Sequence, residues 1–413
     1  MPITAPEDSK HPLLHHHDFR LFWCARVASG FAYQMLSVAV GWQIYALTHS
    51  TFDLGMIGLV QFVPSLLLAL PAGHAADHYD RRRIVLTSEL VQWLALAFLA
   101  IGSVLHWFNE LAILSLIFTV GIAKAFEFTT RQALLPRLVS PPLLPRAMAA
   151  NASAGQMAMI VGPAVGGFLY VAGPGVVYGI SSALYLAAAL LIWRLRVERS
   201  AAKREPRTLR TVFAGIGFIR HRPVVLGAIS LDLFAVLLGG ATALLPAFAR
   251  DILHTGPWGL GLLRAVPAVG ALFMSVGLAH KPPQHGVGKI MFATVAGFGI
   301  ATIVFALSTS FILSLVTLCA LGAFDMVSMV IRATLVQLET PDAMRGRVSA
   351  VNSIFINTSN QLGEFESGVT AAWFGAVPAV LIGGIGTLIV VGLWMWWFPA
   401  LRYRDRLESD MPI

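Results

Sequence analysis

Arg131-Gln132-Ala133-Leu134, followed by Arg146, Asn151 and Gly162, returns in the second half of the chain as Arg332-Ala333-Thr334-Leu335, Arg347, Asn352 and Gly363. Every member of the second set lies 201 residues (332 − 131) beyond its counterpart, the register expected of a duplicated unit. Many secondary transporters are built this way, because two related bundles can rock against each other around a site at their interface.

The rest of the chain places that repeat in lipid. Of 413 residues, 57% are hydrophobic and 12% charged, against about 25% charged in soluble domains. Apolar stretches able to cross about 30 Å of hydrocarbon occur near 22–47, 53–72, 84–106, 111–131, 147–171, 175–195, 223–248, 258–280, 289–307, 311–334, 347–374 and 377–399. The expected fold is an all-α membrane protein, twelve transmembrane helices in two pseudo-symmetric six-helix bundles. A cytoplasmic tail covers 1–20, the first bundle 21–195, a cytoplasmic linker with an amphipathic helix 196–222, the second bundle 223–400, and a second tail 401–413.

The net charge of +8 raises nucleic-acid binding, and its placement removes the need for it. Arg81-Arg82-Arg83, Arg137 with Arg146, a run from Arg194 to Arg222, Lys281 with Lys289, Arg345 with Arg347, and Arg402, Arg404 and Arg406 all fall in alternate loops. Only Arg250 sits clearly on the other side. The positive-inside rule then puts both termini in the cytoplasm of a bacterial inner membrane, with the basic rims facing anionic lipid headgroups. In the linker, Leu209, Val212, Phe213, Ile216 and Ile219 recur at helical spacing between arginines. They read as a helix on the inner membrane surface, or as a solvated linker, since Gly215 and Gly217 weaken a helix.

Other chemistries find little support. Cys24 and Cys319 lie in separate predicted spans, which argues against a disulfide. His11 and the run His15-His16-His17 have no Cys or acidic partner at ligand spacing, so no metal is expected. Neither a phosphate loop nor a nucleophile–base pair occurs, which argues against an enzyme, a cofactor or an ATP-driven pump and leaves an ion gradient as the energy source.

After the second span comes Gly73-His-Ala-Ala-Asp77-His-Tyr-Asp80-Arg81-Arg82-Arg83. A glycine here lets helices approach closely, a carboxylate can sit at a helix N-terminus, and arginines can pair with acids or helix C-termini. The segment resembles the signature Gly-x-x-x-Asp-Arg-x-x-Arg-Arg of the major facilitator superfamily, with His78 where that family has a basic residue. The resemblance implies a conformational latch made of Gly73, Asp77, Arg81 and Arg82, and of the repeated Arg131, Arg146, Arg332 and Arg347. A topology-setting basic loop is the plainer alternative. In the second half Pro64 aligns with Pro267 and Gly58 with Gly261, but His280-Lys281-Pro282-Pro283-Gln284 lacks the acid.

Gly155, Gly162-Pro163 and Gly166-Gly167 in the fifth span resemble the antiporter motif of the superfamily's drug and siderophore exporters. Small residues let a neighbouring helix pack closely and Pro163 removes a backbone hydrogen bond, so the helix can pivot; packing alone is the alternative. Asp18-Phe19-Arg20, Tyr45 to Ser50, Ala75-Ala76-Asp77 and Thr340 to Arg347 are similar to the same branch. That resemblance implies export of a small organic molecule against protons, by a monomer. An importer or symporter, and a non-transporting membrane sensor or assembly partner, are the other readings.

Ionisable residues inside spans point to the cavity, since each costs about 2.5–3.5 kcal/mol at mid-membrane. Lys124, Glu127 and Arg131 share one face of the fourth span at i, i+3 and i+7, where Lys124 and Glu127 can pair. Asp325 occupies the repeat position of Lys124. Glu127 or Asp325 is a candidate proton carrier, and Glu127 can alternatively receive an arginine of the 73–83 loop. Glu364 stands where the repeat predicts a proline, and Glu366 follows about 200° round the helix, so the two cannot share a cavity. Asp232, Arg26 and Arg264 complete the set, with snorkelling from helix ends as the alternative.

Overall fold

The computed structural model describes residues 13, 16–107, 109–196 and 209–407. His11, His15, the linker from 197 to 208 and the tail from 408 lie outside the described residues. The first half contains α1 (His17–Thr48), α2 (Thr51–Leu67), α3 (Ala69–His78), α4 (Arg81–Val104), α5 (Glu110–Leu134), α6 (Leu144–Tyr170) and α7 (Pro174–Trp193). After α8 (Leu209–Arg220) come α9 (Pro223–Leu238), α10 (Leu245–Ala247), α11 (Pro257–His280), α12 (Val287–Leu307), α13 (Phe311–Leu338), α14 (Asp342–Phe374), α15 (Ala376–Trp397) and α16 (Pro399–Arg402). Among the described residues nine helical segments are long and apolar enough to span a membrane, and α2 with α3 forms a tenth, bent by 48°. The two longest helices, α1 and α14, fall outside that count because they carry more charged and polar residues, and with them the long helices number the twelve that fit the fold.

Local chemistry sets the helix starts. Asp80 caps α4 by accepting from the Arg82 and Arg83 amides at 3.0 and 3.4 Å, and Asn109 caps α5 through Ala112 N at 3.0 Å. Pro174, Pro223 and Pro257 open their helices, where a missing N–H costs nothing. Gly173 and Gly375 precede the last span of each half with φ of +109° and +91°, a backbone that L side chains resist.

Two predicted spans are broken. The stretch read as 53–72 ends at Leu67 because Pro71 cannot donate to the Leu67 carbonyl, and the chain restarts as α3 in a new direction. Gly73 to Asp77, expected in a loop, are therefore helical. The stretch 223–248 stops at Gly239-Gly240, continues as a 3₁₀ turn over Ala241–Leu244, and ends in a π-helical turn, Phe248–Ile252.

The chain forms two compact units, Met1–Val40 with Val63–Pro206, and Gly41–Phe62 with Arg207–Ile413. In the first, α4 packs on α5 and α7, and Phe19, Phe22, Val85, Leu134 and Ile192 form a buried cluster. In the second, α12 packs on α13 and α15, around Met291, Phe292, Ile331, Leu335 and Trp394. Helix α8 docks on protein: a methyl group on Gly215 would stand 2.9 Å from the Arg347 carbonyl oxygen, and Ile219 is buried with Val225, Val348 and Val351.

Candidate functional site

The segment from Gly73 to Arg83 is organised by its arginines. Arg81 is buried; its Nε donates to Ala76 O at 2.8 Å and its Nη1 to Ala133 O at 3.1 Å, while Asp77 lies 3.7 Å from Nη2. Arg82 donates to Ile192 O at 3.1 Å and to Trp193 O. Two guanidinium groups from the start of α4 thus satisfy the C-terminal carbonyls of α3, α5 and α7, where positive charge is favoured by the helix dipoles. Gly73 does not serve the close approach expected of it, because a methyl group there meets no atom within 4 Å. Arg146 is exposed on the first turn of α6, whereas Arg347 is half-buried and donates to Met344 Sδ at 3.6 Å.

The small residues of α6 face α1 closely. A methyl group on Gly162 would stand 2.6 Å from Gln34 Cβ, and one on Gly166 2.8 Å from Met35 Cα. A methyl group on Gly155 would stand 3.4 Å from the Arg26 guanidinium, and Pro163 and Gly167 are buried in a helix that runs through the proline unbroken. Since overpacking a close contact costs about 1–3 kcal/mol, Gly166→Leu is expected to lower the melting temperature by several degrees and to slow transport. A melt and an uptake rate both at wild-type level would show that α6 and α1 do not need this contact.

The ionisable residues of the first unit converge on Arg131. It donates to Glu89 on α4, meets Glu127 at 2.8 Å, and donates to Ser29 Oγ on α1 at 2.9 Å. Gln92, one turn beyond Glu89, donates to the other Glu127 oxygen at 2.6 Å. Glu89 is fully buried and Arg131 nearly so. The expected Lys124–Glu127 pair does not form. Lys124 stands over the Tyr33 ring instead, a cation–π contact, because Arg131 presents a planar, multi-donor group that serves two carboxylates at once. Among the described residues Glu127 meets Arg131 and not an arginine of the 73–83 segment, where Arg81 and Arg82 turn to helix ends and Arg83 lies 3.8 Å from Asp80. Arg26 makes no ion pair among the described residues.

In the second unit, Arg332 pairs with Asp232 on α9, and both are buried. The snorkelling reading of Asp232 therefore fails, since its carboxylate has a buried cation to meet. Asp325 lies two turns from Arg332 and lines a small cavity with Asp232, Thr294, Phe298, Phe324 and Ser328. Glu364 presses on Gly58 of α2, where a methyl group would be 2.8 Å from its Cβ, and the Arg264 guanidinium is the charge acting on it. Arg264 itself lies beside Gly41, so it faces protein. Glu366 accepts from Thr370 Oγ1 at 2.8 Å, so the two acids do have separate surroundings. A larger cavity of about 600 Å³ is lined by Tyr45, His49, Thr51, Asp251 and Pro378, with the Tyr45 hydroxyl donating to Asp251.

Glu89 and Gln92 are the site residues that sequence reasoning passed over. The signal was present, since Glu89 is an ionisable residue inside the span read as 84–106, subject to the same energetic argument as Glu127.

The geometry has recognisable relatives. The family described as transmembrane secretion effector matches residues 9–410. The enterobactin exporter EntS of Citrobacter koseri is 28% identical over 403 residues, covering 96% of this chain and 95% of that one. Among solved structures, a bacterial homolog of the human lysosomal transporter Spinster, inward-facing and occupied, superposes with a TM-score of 0.73 at 13% identity, over 95% of this chain and 97% of that one. The nucleoside transporter NupG gives 0.72 at 14% identity, over 92% of this chain and 98% of that one. At such identities the structures speak for the fold alone. With nine or ten apolar spans among its described residues and a match over nearly its whole length, this multi-pass membrane protein belongs to the transmembrane secretion effector family of major facilitator transporters of small molecules.

Proposed function

We propose that the chain is a secondary active exporter that moves a small organic molecule of the siderophore or drug kind outward across the cytoplasmic membrane, coupled to inward proton movement. The observation that carries this reading is the shared guanidinium of Arg131, held between Glu89 and Glu127 inside membrane-spanning helices. Protonation of either carboxylate removes one of its two charge-assisted bonds, so proton occupancy changes how α4 and α5 are tied together. Asp325, in its small cavity, is the corresponding candidate in the second unit. Lys124, Arg26 and Asp232 set the local charge, and Glu364 and Glu366, in their separate surroundings, supply the acids of α14. Similarity to an enterobactin exporter and the Gly155-to-Gly167 pattern favour the outward direction.

Alternating access would use the Asp77–Arg81–Arg82 segment, with Arg131, Arg146, Arg332 and Arg347, as a latch remade in each cycle. On this reading both termini lie in the cytoplasm, the protein acts as a monomer, and its basic loops meet anionic headgroups. A proton entering down the membrane potential releases about 2.3 kcal/mol per 100 mV.

Inside-out vesicles with an acidic lumen test the proposal. Uptake of a catechol siderophore or a fluorescent dye, with the lumen becoming less acidic, is the expected result, and Glu127→Gln or Asp325→Asn should cut proton movement by about tenfold or more. Substrate leaving preloaded vesicles together with protons would mark an importer, and proton movement unaffected in both variants would overturn the coupling.

A further inference from the structure

The segment joining α11 to α12, His280-Lys281-Pro282-Pro283-Gln284-His285-Gly286, contains no acid, and Gly286 offers no side chain to cap α12. The first amides of a helix need acceptors, and those of Gly286, Val287 and Gly288 find them at Arg404 and Asp405. Gly286 N donates to Asp405 Oδ1 at 2.8 Å. Val287 N donates to Asp405 O at 3.1 Å and Gly288 N to Arg404 O at 2.9 Å. His285 Nδ1 lies 3.1 Å from Asp405 Oδ2. A methyl group on Gly288 would collide with the Leu401 carbonyl, so the contact depends on glycine at that position.

The same short segment also reaches the neighbouring helix. Arg404 Nη2 donates to Glu339 Oε1 at 2.8 Å, each side chain only 10% exposed, and Glu339 is the residue that closes α13. Leu401 and Leu407 anchor the segment in the apolar cluster below.

The first half contains the same two jobs. Asp80 accepts from the opening amides of α4, and the adjacent Arg81 reaches the Ala133 carbonyl near the end of α5. By the repeat, α12 corresponds to α4 and α13 to α5. We propose that Arg404-Asp405 of the C-terminal segment is the missing half of the second latch, supplying from a distant part of the chain the acid and the arginine that Asp80-Arg81 supplies locally. The tail is then a working part of the transporter: it ties the start of α12 to the end of α13, so the two helices move as one during the cycle. The imidazole of His285 and the Gly286 amide hold the Asp405 carboxyl below the usual carboxylate range. A lowered value means that the carboxylate's contribution is present at neutral pH and is lost only as pH falls through that value.

Hydrogen–deuterium exchange and uptake, measured together on the full chain in lipid nanodiscs and vesicles, test this. Deleting residues from Arg404 onward, or combining Arg404→Gln with Asp405→Ala in the full-length chain, is expected to speed exchange at Gly286, Val287 and Gly288 by about tenfold. Exchange at the start of α4 should stay as it was, and uptake should fall several-fold. The double substitution keeps the question open should the truncated chain fail to insert. Arg404→Glu should mimic the loss, and Glu339→Arg on that background should restore uptake, which simple surface packing would not do. Unchanged protection at 286–288, or lost protection with full uptake, would overturn the proposal.

Discussion

Arg131→Gln is expected to abolish transport and to lower stability by about 3–5 kcal/mol, the cost of stranding buried charge. The guanidinium is the shared partner of Glu89, which is fully buried, and of Glu127, and it also holds Ser29 of α1. Removing it leaves two carboxylates on adjoining helices with Gln92 as the remaining donor to one of them. Thermal unfolding in detergent, followed by tryptophan fluorescence, reads the loss. Adding Glu89→Gln and Glu127→Gln to the variant should return much of the stability, because neutral amides can bond one another, while transport stays absent. Such a separation distinguishes a group needed to fold from one needed to work. A single Arg131→Gln variant melting at the wild-type temperature would remove the basis for the cluster.

The second large effect belongs to Arg332 and Asp232, and its pattern differs. Arg332→Gln alone should again cost about 3–5 kcal/mol, since it leaves Asp232 buried without its cation. Here the partnership is one to one. Asp232→Asn combined with Arg332→Gln should therefore lie within about 1 kcal/mol of the parent, giving a coupling energy of several kcal/mol in a double-mutant cycle. A double variant as unstable as the single would mean that the cost arises from packing around α9 and α13 and not from the stranded carboxylate.

These two sites show what could be read from the sequence and what could not. Hydropathy and the repeat register located the spans to within a few residues, because span length is set by the bilayer and not by partners. The breaks at Pro71 and at Gly239-Gly240 needed closer attention to single residues than to windows of hydropathy. Spacing puts Lys124 and Glu127 on one face of α5, but each meets a partner on another helix or further along its own, Tyr33 for Lys124 and Arg131 for Glu127. Spacing along one helix says nothing of Glu89, Gln92 and Tyr33 on other helices, and tertiary partners outcompeted the local one. Glu89 was legible by the rule that picked out Glu127 and was passed over. The tie between Arg404-Asp405 and α12 was beyond sequence reasoning, since it joins residues about 120 positions apart through backbone acceptors that any residue type presents.

The distribution of buried charge has a mechanical meaning. The first unit's cluster holds three basic groups, Arg26, Lys124 and Arg131, against two acids, Glu89 and Glu127, whereas its counterpart holds one, Arg332, against two, Asp232 and Asp325. An electric field across the membrane therefore exerts opposite forces on the two clusters. A cell negative inside draws a net positive cluster inward and a net negative one outward, at about 2.3 kcal/mol per charge per 100 mV for complete transfer.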